Sequence, residues 1–301
     1  MSDAIRLPLK FQIGARTLAA VHRPLVRVSL SLDDAIATRL PMLPPLPAGA
    51  QGWLVTSLPV ALAEDVRGLM GGMLAFERQR YTRYYVDLTI GADAWLAALS
   101  ASTRSATKRK EKRVAARSGG GLKVTRHATP DEMVAFHPLA RAIAARTYQE
   151  RLLAAGLPDT PAFRQSMLSR AAAGQVRAWL LHIDDRPAAY LYCPVVAGDV
   201  IYEFLGHDPD FAELSPGSVL QVAALRDLFA EGGLKRFDFT EGEGQHKRQM
   251  ATGGVECVDL LLLRPTLANR AVVAAIAGFD RAVALGKRVL GGDAARWLRR
   301  G

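Results

Sequence analysis

The segment from Phe237 to Arg248 concentrates residue types that move protons. Phe237-Asp238-Phe239 alternates apolar and acidic positions, then runs into Thr240-Glu241-Gly242-Glu243-Gly244 and on to His246-Lys247-Arg248. Carboxylates between glycines at the C-terminal end of a strand, with a lysine at hand, suit general acid–base work on an amine or hydroxyl. Spacing alone describes a solvated turn with a surface ion pair equally well. Upstream, Ser215-Pro216-Gly217-Ser218 reads as a helix start. Unpaired backbone N–H groups and the positive end of the macrodipole suit a phosphate there, Gly217 admits close approach, and Ser218 adds a hydroxyl. The same four residues are also simply a good helix N-terminus. Tyr202 and Glu203 lie on the preceding strand, where Glu203 is either a further candidate base or a strand residue facing a core neighbour.

The elements that must position these groups follow from periodicity and punctuation. In the first half, residues 25–32 (LVRVSLSL) alternate as a strand, and 41–47 (PMLPPLP) read as an extended loop. Residues 52–58 predict a strand, 60–76 a helix and 84–89 a strand. One helix is expected over 92–117, apolar at first and then basic, ended by the glycines after Ser118. In the second half, 122–127 is a strand. Helices follow at 130–153, with Thr129 as N-cap, and at 160–173, with Thr160 as N-cap. A hairpin covers 176–183 and 188–196, and a strand covers 200–206. Helix 216–231, short strand 236–239, polar loop 240–245, strand 255–263 and helix 267–289 complete the order. This predicts an α/β fold with a mixed central sheet and flanking helices. The expected division is 1–118, 119–265 and a basic amphipathic C-terminal helix at 266–301.

Composition bounds the partners. The chain of 301 residues is 50% apolar and 23% charged, with a net charge of +10. Arg104 to Arg117 holds seven Lys/Arg against Glu111, and Arg264 to Gly301 holds eight against Asp280 and Asp293. An anionic partner is implied: cofactor phosphate, nucleic acid, anionic lipid or acidic sugar. The first basic stretch interleaves no aromatics with its charges, which argues against nucleic acid. It suits a phosphorylated carrier, an acidic glycan or plain solvent. The C-terminal helix carries Leu267, Val272, Ile276, Phe279, Val283 and Leu290 near helical spacing, so it either packs on its own domain or lies on an anionic membrane surface. Two cysteines in apolar runs and the lack of a signal-like start point to a reducing, cytoplasmic setting. Scattered histidines predict no metal, and no Walker or dinucleotide glycine motif is present.

Taken together, these motifs resemble the GNAT-type acetyltransferase domain of bacterial CelD-like proteins of cellulose and exopolysaccharide biosynthesis. More distantly, they are similar to the FemAB peptidoglycan-bridge aminoacyltransferases. The resemblance runs through Tyr202, Gly206-His207-Asp208-Pro209, Ser215-Pro216-Gly217, Phe237-Asp238-Phe239, Gly242-Glu243 and His246-Lys247-Arg248. Upstream it extends through Tyr85-Val86-Asp87-Leu88, the segment from Trp95 to Leu99 and the basic helix. His246 stands where the family has tyrosine, and the Gly-rich acyl-CoA loop of better-known members is missing. The resemblance implies a GNAT-like fold behind a smaller α/β N-terminal half, for which a degenerate copy of the fold is one reading. It implies acyl transfer from acetyl-CoA or another acyl-CoA to an amine or hydroxyl, on a small molecule or a cell-envelope precursor. Ser215, Gly217, Ser218, Val219 and Leu220 would bind the cofactor, with the backbone from Gly217 to Leu220 on its pyrophosphate and a strand N–H polarising the thioester. Asp238, Glu241, Lys247 and Glu203 would be catalytic, while Tyr202, Glu243, His246 and Arg248 would meet the acceptor. An aminoacyl-tRNA donor, or a non-catalytic role in a polysaccharide assembly, are the alternatives.

Overall fold

The computed structural model describes residues 4–13, 16–147, 156–242 and 244–289. Eleven strands occur in order: β1 (Ile5–Ile13), β2 (Arg16–Ser29), β3 (Gly52–Pro59), β4 (Leu74–Asp87), β5 (Lys123–His127), β6 (Val176–Ile183), β7 (Arg186–Val196), β8 (Asp199–Ile201), β9 (Phe204–His207), β10 (Arg236–Asp238) and β11 (Gly253–Leu263). The described helices are α1 (Leu32–Ile36), α2 (Ala63–Leu69), α3 (Ala92–Ala98), α4 (Ala101–Arg117), α5 (Pro130–Ala144), α6 (Pro161–Ala172), α7 (Pro216–Glu231), α8 (Gln245–Met250) and α9 (Leu267–Val289). None is long and apolar enough to cross a membrane.

The chain forms two compact units, Met1–Tyr81 with Val255–Gly301, and Thr82–Gly254. The break expected after Ser118 instead falls inside the second unit. From Val255 onward, the strand assigned by sequence to the transferase domain belongs with the N-terminal residues. Long-range strand pairing overrides sequence proximity here, because β11 pairs antiparallel with β3 from Cys257 to Leu263.

In the first unit, β1 pairs antiparallel with β2, and β2 pairs parallel with β3. Trp53 donates its indole N–H to Pro44 O at 2.9 Å, which anchors the proline-rich loop. The helix expected over 60–76 stops at Leu69, because Gly71 and Gly72 end it and β4 begins at Leu74. Helix α9 lays Val272, Val273 and Ile276 against Leu9, Leu25, Leu261 and Leu263, and Phe279 meets Phe11 edge-on at 5.4 Å. Its apolar face is thus used within its own unit, while Leu267 and Leu285 stay exposed. Leu290 lies outside the described residues.

The second unit is a mixed sheet between helices. The hairpin β6–β7 alternates cleanly. Trp179, Leu181, Ala189 and Leu191 face a core shared with α7, while Ala178, Leu180, Tyr190 and Tyr192 face one shared with α5 and α6. Strand β10 lies between β4, antiparallel, and β8, parallel. Thr129 and Thr160 cap α5 and α6 as expected, Thr129 in a full capping box. Helix α5 ends at Ala144, and the further stretch expected from residue 148 to Leu153 lies outside the described residues. The single helix expected over 92–117 is two. Leu99 is extended and Ser100 caps α4 by accepting from Thr103 N.

Candidate functional site

The strand expected over 200–206 breaks in the middle, and the break makes the site. Up to Ile201 the chain pairs with β10, and Tyr202 N–H still donates to Asp238 O at 2.9 Å. From Phe204 onward β9 pairs with β7 alone, while Phe239 N–H turns to Tyr84 O. The two strands therefore part after Tyr202 and Asp238. Gly206 allows β9 to press on Tyr190, since a Cβ there would sit 2.4 Å from the ring. Asp208, 3% exposed, then ties the turn to Arg146 at 2.5 Å and Arg186 at 3.3 Å.

A cleft of about 670 Å³ opens where the strands part. Its walls include Tyr202, Leu205, His207 and His246, and the first two turns of α7 with their N-cap supply Ser215, Gly217, Ser218 and Gln221. Ser215 is left-handed (φ 54°), and its carbonyl accepts from both Ser218 N and Val219 N. These two N–H groups, expected to hold a pyrophosphate, are therefore already engaged. Gly217 N–H has no partner among the described residues, and Ser215 and Ser218 line the cleft. A Cβ on Gly217 would stand 3.1 Å from Leu205, so this glycine lets the start of α7 pack closely on β9. Val219 and Leu220 are buried core residues.

Asp238 is wholly buried and grips Arg83, with Oδ1 to Nε at 3.2 Å and Oδ2 to Nη2 at 2.5 Å; Oδ1 also accepts from Thr240 N at 2.8 Å. Its carboxylate turns inward, and it is not on the cleft wall. Lys247 is 8% exposed and donates to the carbonyls of Phe239, at 2.9 Å, and Glu241, at 2.7 Å, with its ammonium 6.0 Å from the Tyr202 ring centroid. The pair expected to be catalytic therefore fixes the corner at 239–241. Sequence spacing revealed the cluster but not its direction, because Arg83 lies 155 residues away from Asp238.

Of the other predicted residues, Glu241 and Arg248 are exposed, and Glu243 lies outside the described residues. Glu203 occupies the gap between β8 and β9. Surrounding protein raises its carboxyl above the ordinary range, against the pull of Arg170. It also acts on Tyr192, on the α5–α6 face, and it does not line the cleft. Burial pushes the Tyr202 phenol well up, so it stays protonated. Tyr202 N–H is committed to Asp238 O and cannot polarise a thioester. His246 keeps access to solvent, and burial first, then Lys247 and Lys110, hold its imidazole below the usual 6.5. The short helix α8 that carries it was not foreseen: the polar loop was read over 240–245 and no element was assigned from 246 to 254. Its sequence, QHKRQM, lacks an apolar period, and what holds it is tertiary: Trp95 Nε1–H donates to Met250 O at 2.9 Å.

Gln221 escaped sequence reasoning. It is 2% exposed, its amide N–H reaches Met250 Sδ at 3.2 Å, and the side chain lines the cleft. The available signal was one amide inside the apolar run from Val219 to Leu225. Among the described residues, no group of three or more His, Cys, Asp or Glu is placed to hold a metal.

Residues 101–248 match the family model described as the acetyltransferase (GNAT) domain. Over this stretch, just under half of its length, the chain is similar to GNAT-type acetyltransferases. Its fold is similar to the C-terminal domain of a protein described as a lysylphosphatidylglycerol synthetase from Agrobacterium fabrum. The TM-score is 0.51 at 14% identity, over 77% of this chain and 73% of that one. It is also similar to a structure described as FemX, with a TM-score of 0.50 at 9% identity over 86% and 88% of the two chains. At these identities the likeness is one of fold. No curated protein matches the sequence. The match takes in the parted strands, α7 and the start of α8, which carry the residues that line the cleft.

Proposed function

We propose that the protein transfers an acyl group from acetyl-CoA or another acyl-CoA to an amine or hydroxyl of a small-molecule or cell-envelope precursor. The observation carrying this reading is the cleft where β9 leaves β10, with the unpaired Gly217 N–H and two serine hydroxyls at the start of α7. These groups and the helix dipole take the donor's pyrophosphate. The thioester lies between the parted strands. The acceptor's nitrogen or oxygen attacks its carbonyl carbon while His246 removes the acceptor's proton, and collapse of the tetrahedral adduct breaks the C–S bond. Tyr202, held protonated, offers a hydrogen bond to the departing sulfur, and the His246 imidazolium returns its proton to the thiolate. His246 thus takes the role first assigned to Glu203 and Glu241. Asp238 and Lys247 act as positioning residues that set the corner at 239–241, and Gln221 offers its amide to the polar part of donor or acceptor.

Titration calorimetry with acetyl-CoA tests the donor, and absence of binding at millimolar concentration removes the reading. His246→Gln should lower kcat by roughly 10²–10⁴-fold, the usual range for a general base. A base must be unprotonated, so the wild-type rate falls as pH drops through the imidazole's value, below 6.5. That limb should vanish in the variant and persist in Glu203→Gln.

A second reading, transfer of an aminoacyl group from a charged tRNA, is supported by the likeness to FemX and to the lysylphosphatidylglycerol synthetase domain. It requires binding of aminoacylated RNA in place of CoA.

A further inference from the structure

Helix α4 is the most basic element of the second unit, and its charges divide by face. Arg104 donates to the carbonyl of Ala97, Arg117 pairs with Asp184, and Glu111 is fixed by Arg226 of α7 at 2.5 Å. Lys108, Arg109, Lys110, Lys112 and Arg113 have no ion-pair partner among the described residues. Five unpaired cations on one helix repel each other, and an anion relieves that repulsion.

A second cleft, of about 440 Å³, lies along this helix. Ser102, Ser105 and Arg109, spaced at three and four residues and so on one face, form one wall together with the adjacent Lys110. Ser218 and His246 also line this cleft and are shared with the first one. The two spaces meet at the start of α7, where the proposed pyrophosphate sits. Lys110 acts on the His246 imidazole, which places its ammonium near that shared boundary. Lys112 and Arg113, further along the same helix, do not line the cleft.

Building on the acyl-CoA reading, we propose that this second cleft holds the nucleotide end of the donor, with Arg109 and Lys110 on its ribose 3′-phosphate. A 3′-phosphate is dianionic and needs donors beyond those at the α7 start. Arg109 and Lys110 supply them as charge-assisted hydrogen bonds, and Ser105 lines the same space. The basic helix thereby acquires a specific ligand, and the donor spans both clefts.

Calorimetry on the full chain compares CoA, dephospho-CoA (which lacks only the 3′-phosphate) and adenosine 3′,5′-bisphosphate. CoA should bind about 10-fold more tightly than dephospho-CoA, as expected for charge-assisted contacts. The preference should collapse to about 1 in Arg109→Ala/Lys110→Ala. It should persist in Lys112→Ala/Arg113→Ala, which removes the same charge from the same helix. Equal binding of CoA and dephospho-CoA by the wild type, or equal loss in both double variants, overturns the inference and leaves the acyl-CoA reading standing. If CoA does not bind but the bisphosphate does, dependent on Arg109 and Lys110, the donor reading fails and the nucleotide site survives. Failure of all three ligands removes both.

Discussion

Asp259 in the first unit and Asp238 in the second are both withdrawn from solvent, at 6% and 0% exposure. Each accepts a hydrogen bond from the backbone of a left-handed, non-glycine residue: Ser57 (φ 57°) at 3.0 Å and Thr240 (φ 60°) at 2.8 Å. Their remaining partners differ. The hydrogen bonds to Asp259 come from neutral donors, Tyr81 Oη at 3.1 Å and Gln79 Nε2 at 2.8 Å, with Arg78 acting on it only through space, whereas Asp238 is hydrogen-bonded directly to the Arg83 guanidinium. A carboxylate spread over neutral donors tolerates the loss of one of them. An ion pair this deep does not, because removing either member strands a charge. The firmer device is the one next to the cleft, where the corner at 239–241 must hold still.

The largest effect should come from Arg83. Arg83→Met leaves Asp238 buried without its counter-charge and should cost about 3–5 kcal/mol in urea unfolding. Arg83→Met/Asp238→Asn should restore part of it, since a neutral amide needs no counter-charge. A single variant within about 0.5 kcal/mol of wild type would show that Asp238 reaches water or another cation. Asp259→Asn is the matching change in the other unit. It keeps one acceptor oxygen for Ser57 and Tyr81, and Gln79 can turn its own carbonyl toward the new amide. The expected cost is about 1 kcal/mol, the scale of one neutral hydrogen bond. A loss as large as that of Arg83→Met would erase the distinction between the two aspartates.

The surroundings of the two aspartates were unequally legible in the sequence. Where a segment's fate is set locally it was readable: the alternation of β6 and β7, the threonine caps of α5 and α6, and the Ser-Pro-Gly start of α7. Asp238 and Lys247 stood out as a charged cluster, but their direction depends on Arg83 and on the carbonyls of Phe239 and Glu241, which only tertiary pairing brings near. Asp259 drew no notice, since it interrupts a long apolar strand with neutral partners from β3 and β4. The hairpin of β1 and β2 was read only from Leu25 onward, because its outer positions are polar and Pro8 and Pro24 disguise the alternation. The break at Tyr202-Glu203 leaves no composition signal. It arises because β8 and β9 pair with different neighbours.

The smallest test concerns the two left-handed residues themselves. A side chain at φ near +60° costs roughly 1 kcal/mol that glycine does not. The Thr240 hydroxyl has no hydrogen-bond partner among the described residues, and a β-branched side chain is least suited to this region. Thr240→Gly should therefore be neutral or stabilising by up to about 1 kcal/mol, the glycine's entropy in the unfolded chain offsetting part of the relief. Ser57 differs, since its Oγ lies 2.9 Å from Tyr81 Oη in the Asp259 network. Ser57→Gly relieves the same strain but removes that hydrogen bond, worth about 1 kcal/mol, so its expected net change is near zero or slightly destabilising. Paired urea midpoints decide the matter. If Thr240→Gly destabilises more than Ser57→Gly, then the Thr240 side chain supports the corner beside the cleft, and the strain there is not carried by Asp238 and Lys247 alone.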